Sequence, residues 1–312
     1  MHKQTAEPRS TLVESFLLMG TVVSLRLVGD GSVAHMRDSI DRAIRAMRSV
    51  EEACSRFDEE SALRDLCRRP GEWVAVPAAL FQALSIARQM AEMTAGIFDP
   101  TVGRALELQG FNRHYLTGQE SDSQVPLDTG ASWRDIELNA DGRQVRLAAP
   151  MLLDLGAVAK GLAIDLAAHE LGDWPGLSVD AGGDVLVAGS DPEGAVWRVG
   201  VEHPLAPDSL LTQMELTNMA VCTSGNYKRR SPKNEALHHL WDPAQQRSAE
   251  GLKSCTVVAP QAVLADVVST AAFLLGPDRA LSFIEEMDLA GLVVREDMTV
   301  QMTKSMGGYI RE

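Results

Sequence analysis

Apolar and polar residues alternate near the start of the chain and then recur at helical spacing. Val23, Leu25 and Leu27 are separated by polar Ser24 and Arg26, and this period of two predicts a half-buried strand. The next apolar residues fall three or four positions apart, which predicts an amphipathic helix: Met36, Ile40, Ile44, Met47 and Val50. We expect residues 1–14, ahead of these patterns, to form a flexible N-terminal segment.

A second helix is predicted to start at Pro77, because proline is favoured at the beginning of helices. Its apolar stripe consists of Leu80, Leu84, Ala87 and Ala91, and Gly96 marks its end. Residues 117–130 are rich in Ser, Asp, Gly and Thr. This composition predicts a surface loop, which is also the only candidate for a linker between domains.

The second half of the chain mixes short strands with helices. Residues 151–155 read as a buried strand, Gly156 as a turn, and 158–171 as a helix that Gly172 ends. A helix over 264–275 ends at Gly276, and Pro277 begins another. Strands are predicted near 177–180, 184–188, 196–201, 211–216, 236–241, 254–259 and 291–295. Without a regular strand–helix–strand alternation, the order favours an α+β fold.

Net charge, apolar runs and cysteine spacing exclude several classes of function. The 312 residues carry a net charge of −14, so nucleic acid is an unfavourable partner, and an anionic substrate requires a cation or backbone amides. No apolar run approaches the ~20 residues of a membrane span, and residues 16–23 are too short for one. We expect no integral membrane segment and a cytoplasmic location, or a periplasmic one if an export leader has been removed. The four cysteines form no CxxC pair, which argues against a zinc site.

Asp266 and Thr270 lie four residues apart on a predicted apolar helix and therefore share one face. A carboxylate beside a hydroxyl suits a hard cation such as Mg²⁺, whose other positions are taken by water and phosphate. The alternative is structural: Asp266 caps the helix and Thr270 packs in the core.

Lys160 follows the turn at Gly156 and Ala157, in the first turn of a predicted helix. Backbone amides at a helix N-terminus together with one cation form an anion site. The alternative is a tight connection with a solvated lysine. Because Lys160 precedes its glycine and Leu162 replaces the hydroxyl residue, the segment is not a Walker A loop.

Two loops and a histidine pair complete the candidates. Residues 180–184 (Asp-Ala-Gly-Gly-Asp) and 223–227 (Thr-Ser-Gly-Asn-Tyr) offer close backbone approach and polar side chains, although each also fits an ordinary turn. His238 and His239 stand on a predicted strand, where neighbours point to opposite faces, so at most one enters a site. Histidine is the natural base near neutral pH, but a lone strand histidine is commonly structural.

Together these segments resemble the FAD:protein FMN transferase family, the ApbE family, from residue 19 to residue 270. The resemblance follows the family's order through nine segments: Met-Gly-Thr at 19–21, Ser-Arg-Phe at 55–57 with Ser61, Phe-Asp-Pro-Thr-Val-Gly at 98–103 followed by Gly-Phe at 110–111, Asp-Leu-Gly-Ala-Val-Ala-Lys-Gly at 154–161, Ala-Gly-Gly-Asp at 181–184, Trp-Arg-Val-Gly-Val-Glu at 197–202, Thr-Ser-Gly at 223–225, His-Leu-Trp-Asp-Pro at 239–243, and Ala-Asp at 265–266 with Thr270.

The resemblance implies a single compact α+β domain over 1–312, related to the T-fold, that binds FAD and Mg²⁺. It implies transfer of FMN from FAD to a Thr or Ser hydroxyl of a target flavoprotein, with release of AMP. The alternatives are an FAD pyrophosphatase that yields FMN and AMP, and a non-catalytic FAD-binding protein.

The resemblance also implies site residues. His239 and Lys160 would be catalytic: His239 would activate the acceptor hydroxyl, and Lys160 would lie close to the diphosphate. The metal would be held by Asp266, Thr270 and the backbone carbonyl of Ala157. The FAD pocket would be formed by Met19, Asp99, Thr101, Gly182, Gly183, Thr223 and Ser224.

The chain departs from the family pattern at three places. Residues 244–247 (Ala-Gln-Gln-Arg) replace the usual Arg-Thr-Gly after Asp-Pro, Cys67 stands where Asn is common, and Asn226 replaces a frequent Asp. The first of these concerns the entrance for the acceptor and therefore the choice of protein substrate.

Overall fold

A computed structural model describes residues 9–126 and 129–311, apart from the side chain of Pro207. The helices of the described residues are α1 (Val33–Cys54), α2 (Ala62–Cys67), α3 (Ala78–Met93), α4 (Gly103–Leu108), α5 (Ala159–Glu170), α6 (Ala262–Leu275) and α7 (Ala280–Glu286). The strands are β1 (Ser10–Leu18), β2 (Thr21–Gly29), β3 (Val74–Ala75), β4 (Ile136–Asn139), β5 (Gln144–Leu147), β6 (Gly176–Ala181), β7 (Asp184–Gly189), β8 (Trp197–His203), β9 (Ala206–Leu216), β10 (Met219–Gly225), β11 (Trp241–Asp242), β12 (Arg247–Ser248), β13 (Leu252–Ala259), β14 (Ala290–Arg295), β15 (Val300–Met302) and β16 (Ile310–Arg311).

An eight-stranded sheet organises the fold, in the order β1-β2-β6-β7-β10-β13-β14-β15. Every neighbouring pair in it is antiparallel. Strands from both sides of the 117–130 loop share this sheet, since β2 pairs with β6. The observed class is α+β, as the sequence predicts.

Both faces of the central sheet are buried. In β14, Val293 packs in the larger core under the helices, while Leu292 and Val294 pack in a second core beneath β8 and β9. Successive side chains of a strand point to opposite faces, so an unbroken apolar run buries both. This explains why β14 shows no polar alternation.

The helical layer brings α5 and α6 together over the sheet. Gly161 lies at their crossing, where an added Cβ would stand 2.6 Å from the Ala262 carbonyl oxygen and 2.6 Å from Val263 Cα. Asp165, one turn further along α5, accepts hydrogen bonds from the Ala262 and Val263 amides at 2.7 and 2.9 Å. It thereby satisfies two of the N-terminal amides of α6, whose N-cap residue Gln261 makes no side-chain hydrogen bond to them.

Most of the predicted elements are confirmed. The alternation at 23–27 lies in β2, the stripe at 36–50 lies in α1, and the helices predicted at Pro77 and at 158–171 are α3 and α5. The described part of 117–130 is a surface loop without helix or extended strand, and residues 127 and 128 lie outside the described residues. Across the described residues, no helix is both long and apolar enough to cross a membrane.

Three predictions are wrong. Residues 10–14 of the expected flexible segment belong to β1 and pair with residues 25–29 of β2, whereas 1–8 lie outside the described residues. Residues 151–155 are largely buried but form no sheet ladder, because their backbone packs against the turn at 100–103, where the Asp154 amide donates to the Pro100 carbonyl. The strand predicted near 236–241 is a loop that ends in the two-residue strand β11, and its backbone bonds are made by turns and by Ser248.

Candidate active site

Two buried carboxylates and one half-buried ammonium meet where α5, α6 and β7 converge. The Lys160 ammonium contacts the carboxylates of Asp184 and Asp266, and its Nζ lies 3.1 Å from Asp266 Oδ2. The side chains of both acids are only 7% exposed, and that of Lys160 is 18% exposed. One ammonium between two carboxylates leaves one negative charge uncompensated in a poorly solvated place, which favours binding of a further cation.

Hydroxyl groups extend this cluster along α6 and β10. Ser224 Oγ lies 2.8 Å from Thr270 Oγ1 and 3.0 Å from Ser269 Oγ, and all three side chains are buried. The Thr223 amide donates to Asp184 Oδ1 at 2.8 Å. Ser224 thus contacts the predicted metal ligand Thr270, and Thr223 contacts Asp184. Both lie at the end of β10 rather than in a loop after it.

The first turn of α5 is open toward Asp266. The Gly161 amide donates to Asp266 Oδ2 at 3.1 Å, and the first intrahelical bond runs from the Leu162 amide to the Val158 carbonyl. The Ala157 carbonyl therefore precedes the helical bonding pattern. The close crossing at Gly161 places the carboxylate of one helix at the N-terminus of the other, a favourable position for an anion.

Asp154 anchors the turn that leads into α5. Its Oδ1 accepts from the Gly156 amide at 2.9 Å, and its Oδ2 accepts from Nε of Arg56, a side chain that is 5% exposed. Burial alone would raise the pKa of Asp154, but the charge and hydrogen bond of Arg56 and the Gly156 amide hold it below its ordinary value. Arg56 and Asp154 are functional candidates that the sequence analysis did not assign.

His238 and His239 lie in a loop rather than on the predicted strand. Their environments differ. His238 is buried, and its Nε2 lies 2.9 Å from the Ala249 carbonyl oxygen, which is a structural arrangement. His239 is half-buried, with Nδ1 3.4 Å from the Arg229 carbonyl oxygen. Burial and the Arg229 charge hold the pKa of His239 well below its ordinary value, against the opposing charge of Asp154. His239 is therefore neutral near pH 7 and can accept a proton.

A glycine turn and Met19 lie at the neighbouring end of the sheet. Gly182 and Gly183 connect β6 to β7 with φ of +68° and +95°, a region that favours glycine. The Gly182 amide donates to the Val22 carbonyl at 3.1 Å, which places this turn beside the β1–β2 connection. The Met19 amide in that connection donates to Glu51 Oε1 at 2.7 Å.

Asp99 and Thr101 form a compact turn ahead of α4. Asp99 Oδ1 accepts from the Thr101 amide at 2.8 Å and from its hydroxyl at 2.7 Å, and burial raises the pKa of Asp99. The Asp154 amide donates to the Pro100 carbonyl at 2.7 Å. The structure thus links these two residues to the Asp154 turn, whereas their own hydrogen bonds do not reach Lys160.

The donor chemistry around Asp266 fits a hard divalent cation. A buried carboxylate, a hydroxyl at Thr270 and a main-chain carbonyl at Ala157 are all oxygen donors, as Mg²⁺ prefers. No group of three or more His, Cys, Asp or Glu side chains suited to a metal occurs among the described residues.

Asp184 is a further candidate residue to which the sequence assigned no role of its own. It is only the last residue of the 180–184 loop and of the 181–184 segment. Its contact with Lys160 joins residues 24 positions apart on different elements, and no local pattern predicts such a pair.

Comparison with known proteins identifies a family that the chain matches over most of its length. Residues 19–293 match the ApbE family model. The FAD:protein FMN transferase of Haemophilus influenzae is 27% identical over 307 residues, covering 93% of this chain and 88% of the relative. The FAD:protein FMN transferase of Treponema pallidum is 27% identical over 293 residues, covering 86% and 80%.

Solved structures agree with these sequence matches. The apbe protein of Thermotoga maritima superimposes with a TM-score of 0.85 at 28% identity, covering 97% of this chain and 100% of that one. The flavin transferase ApbE of Vibrio cholerae gives a TM-score of 0.82 at 23% identity, covering 97% and 100%, and supports the fold alone.

Proposed function

The chain belongs to the ApbE family and is a flavin transferase, and we propose that it moves FMN from FAD to a Thr or Ser hydroxyl of a target flavoprotein, with Mg²⁺ bound and AMP released. We also propose that residues 1–312 act as one domain. The observation that carries the proposal is the Lys160 ammonium held between the buried carboxylates of Asp184 and Asp266, beside the Thr270 hydroxyl cluster.

The proposed metal ligands are Asp266, Thr270 and the Ala157 carbonyl. When bound, Mg²⁺ would neutralise charge on the diphosphate and polarise its oxygens. The uncompensated negative charge at Lys160, Asp184 and Asp266 supports cation binding, and the supply of oxygen donors supports a hard ion.

The FAD pocket is proposed to extend from this centre along the end of the sheet. Lys160 and the amides of the turn before α5 would bind diphosphate oxygens, since amides at a helix N-terminus favour anions. The remaining pocket residues are proposed to be Met19, Asp99, Thr101, Gly182, Gly183, Thr223 and Ser224. Hydrogen bonds from the Gly182 turn to β2 and from Asp154 to Pro100 support this grouping.

His239 is proposed as the base on the acceptor side. Its neutral imidazole would take the proton of the acceptor hydroxyl while the hydroxyl oxygen forms a bond to the phosphorus of the FMN half. The bond between that phosphorus and the bridging oxygen breaks, and AMP leaves with the electron pair. The negative charge of Asp154 favours the imidazolium that results, and the proton passes to solvent.

Mass spectrometry tests this proposal. The protein would be incubated with FAD, MgCl₂ and the acceptor flavoprotein of the Haemophilus influenzae relative, with an EDTA-treated sample as control. We expect the acceptor to gain one FMN less one water only where the metal is present. FMN and AMP without an adduct would instead indicate an FAD pyrophosphatase, and FAD bound but intact would indicate a non-catalytic binding protein.

A further inference from the structure

Asp184 is a buried acid to which the proposed reaction assigns neither metal ligation nor proton transfer. It is the first residue of β7 and is held from two sides: its Oδ1 accepts from the Thr223 amide at 2.8 Å, and its Oδ2 contacts Lys160 Nζ. Only 5% of the residue is exposed. A carboxylate this buried is costly unless its charge serves a partner.

Lys160 and a divalent cation compete for Asp266. Lys160 Nζ lies 3.1 Å from Asp266 Oδ2, and the Gly161 amide donates to the same oxygen. A Mg²⁺ ion binds carboxylate oxygens at about 2.0–2.1 Å, so an ion on Asp266 would be close to the ammonium. Two cations that near each other repel strongly where solvent is scarce.

The second carboxylate resolves this competition. If Lys160 had Asp266 alone, metal binding would leave a buried ammonium without an anion or displace it from the site. Asp184 contacts the same ammonium and is fixed by the β10 backbone, so it can keep Lys160 in place without Asp266.

We propose that Asp184 is a positioning residue that retains the Lys160 ammonium at the site while a divalent cation occupies Asp266. This inference rests on the proposed function, because it takes Asp266 as a metal ligand. It makes Lys160 and the metal compatible, so both can act on one diphosphate.

Four proteins test the proposal by calorimetric titration with MgCl₂: the wild type, Asp184→Asn, Lys160→Met and the double variant. Asparagine keeps an oxygen that can accept from the Thr223 amide, and thermal unfolding checks that each variant folds. If Asp184→Asn does not fold, Asp184→Ser repeats the comparison. Glu107→Gln, which removes a buried carboxylate that pairs with Arg104, serves as the matched control and is expected to bind Mg²⁺ as the wild type does.

The two backgrounds separate positioning from simple charge. With Lys160 present, Asp184→Asn should weaken Mg²⁺ binding about tenfold or more, because the ammonium then depends on Asp266. In the Lys160→Met background the same substitution should have a much smaller effect.

An equal loss of affinity in both backgrounds would overturn the positioning role, since Asp184 would then contribute only its negative charge. A wild type that binds no Mg²⁺, with or without FAD, would contradict the metal assignment of the proposed function itself. The two failures are therefore distinguishable.

Discussion

The crossing of α5 and α6 at Gly161 gives a prediction whose size follows from the structure. In Gly161→Ala, the new Cβ would lie 2.6 Å from the Ala262 oxygen and 2.6 Å from Val263 Cα, about 0.8 Å short of the 3.4 Å of ordinary contact. Both neighbours are backbone atoms and cannot rotate away, so the helices must separate. Overpacking of this kind costs about 1–3 kcal/mol, partly offset by the roughly 1 kcal/mol that alanine gains over glycine within a helix.

The same displacement affects the site, because the Gly161 amide and Lys160 both contact Asp266 from α5. A misplacement of ~1 Å can reduce a rate about 100-fold, so we expect Gly161→Ala to lose at least about tenfold in FMN transfer. The assays are urea denaturation for stability and the initial rate of acceptor flavinylation at saturating MgCl₂.

Gly307→Ala is the matched control for this substitution. Gly307 is exposed, lies in a short 3-10 turn and has no neighbour within 4 Å of an added Cβ, so the change should alter neither stability nor rate. The reasoning is refuted if Gly161→Ala unfolds at the same urea concentration as the wild type and flavinylates at an unchanged rate.

Two further predictions concern charge. Because the pKa of His239 is lowered and its neutral form is the base, kcat/KM for the acceptor should stay constant from pH 8 to about 6.5 and fall only at lower pH. A decline centred at or above about pH 6.5 in the wild type that is absent in His239→Asn would contradict the lowered pKa of His239. Arg56→Met should destabilise the fold by about 3 kcal/mol at pH 7, because it removes the charge partner of a mostly buried carboxylate and leaves Asp154 only the Gly156 amide as a donor. The lowered pKa of Asp154 means that its pairing stabilises the fold above the unfolded pKa of about 3.9 and is lost as pH falls through the folded value. Urea denaturation of both proteins should therefore show a difference that shrinks only below about pH 4, and an equal denaturation midpoint at pH 7 would contradict the ion pair.

The sequence predicted the strands and helices whose apolar periodicity is visible within a single segment. The period-two alternation of β2 and the apolar stripe of α1 are visible within one segment, because one face of each is buried. Residues 151–155 show the limit of this reasoning. A short apolar run states that a segment is buried, but not whether strands or helices surround it.

The sequence predicted which residue types form the candidate site, but not which of these residues contact each other. The four-residue spacing of Asp266 and Thr270 placed them on one helix face, and the resemblance to the ApbE family supplied their role. The contacts of Lys160 with Asp184, of Arg56 with Asp154 and of Ser224 with Thr270 join segments 24, 98 and 46 positions apart. Such contacts depend on how helices cross the sheet, which no short stretch of one sequence encodes.

The negative net charge of the chain has a counterpart at the candidate site. The chain carries a net charge of −14, and its candidate site holds one ammonium between two buried carboxylates. The placement of the protein in the cytoplasm or the periplasm stays a prediction.

The most direct measurement of the proposed reaction is the ratio of AMP released to acceptor flavinylated in one reaction mixture, followed as MgCl₂ is titrated into the metal-free protein with FAD and acceptor. The proposal predicts one AMP for each flavinylated acceptor, with both products rising together and both absent in Asp266→Asn. AMP formed without adduct, or an adduct whose yield does not depend on the divalent cation or on Asp266, would contradict it.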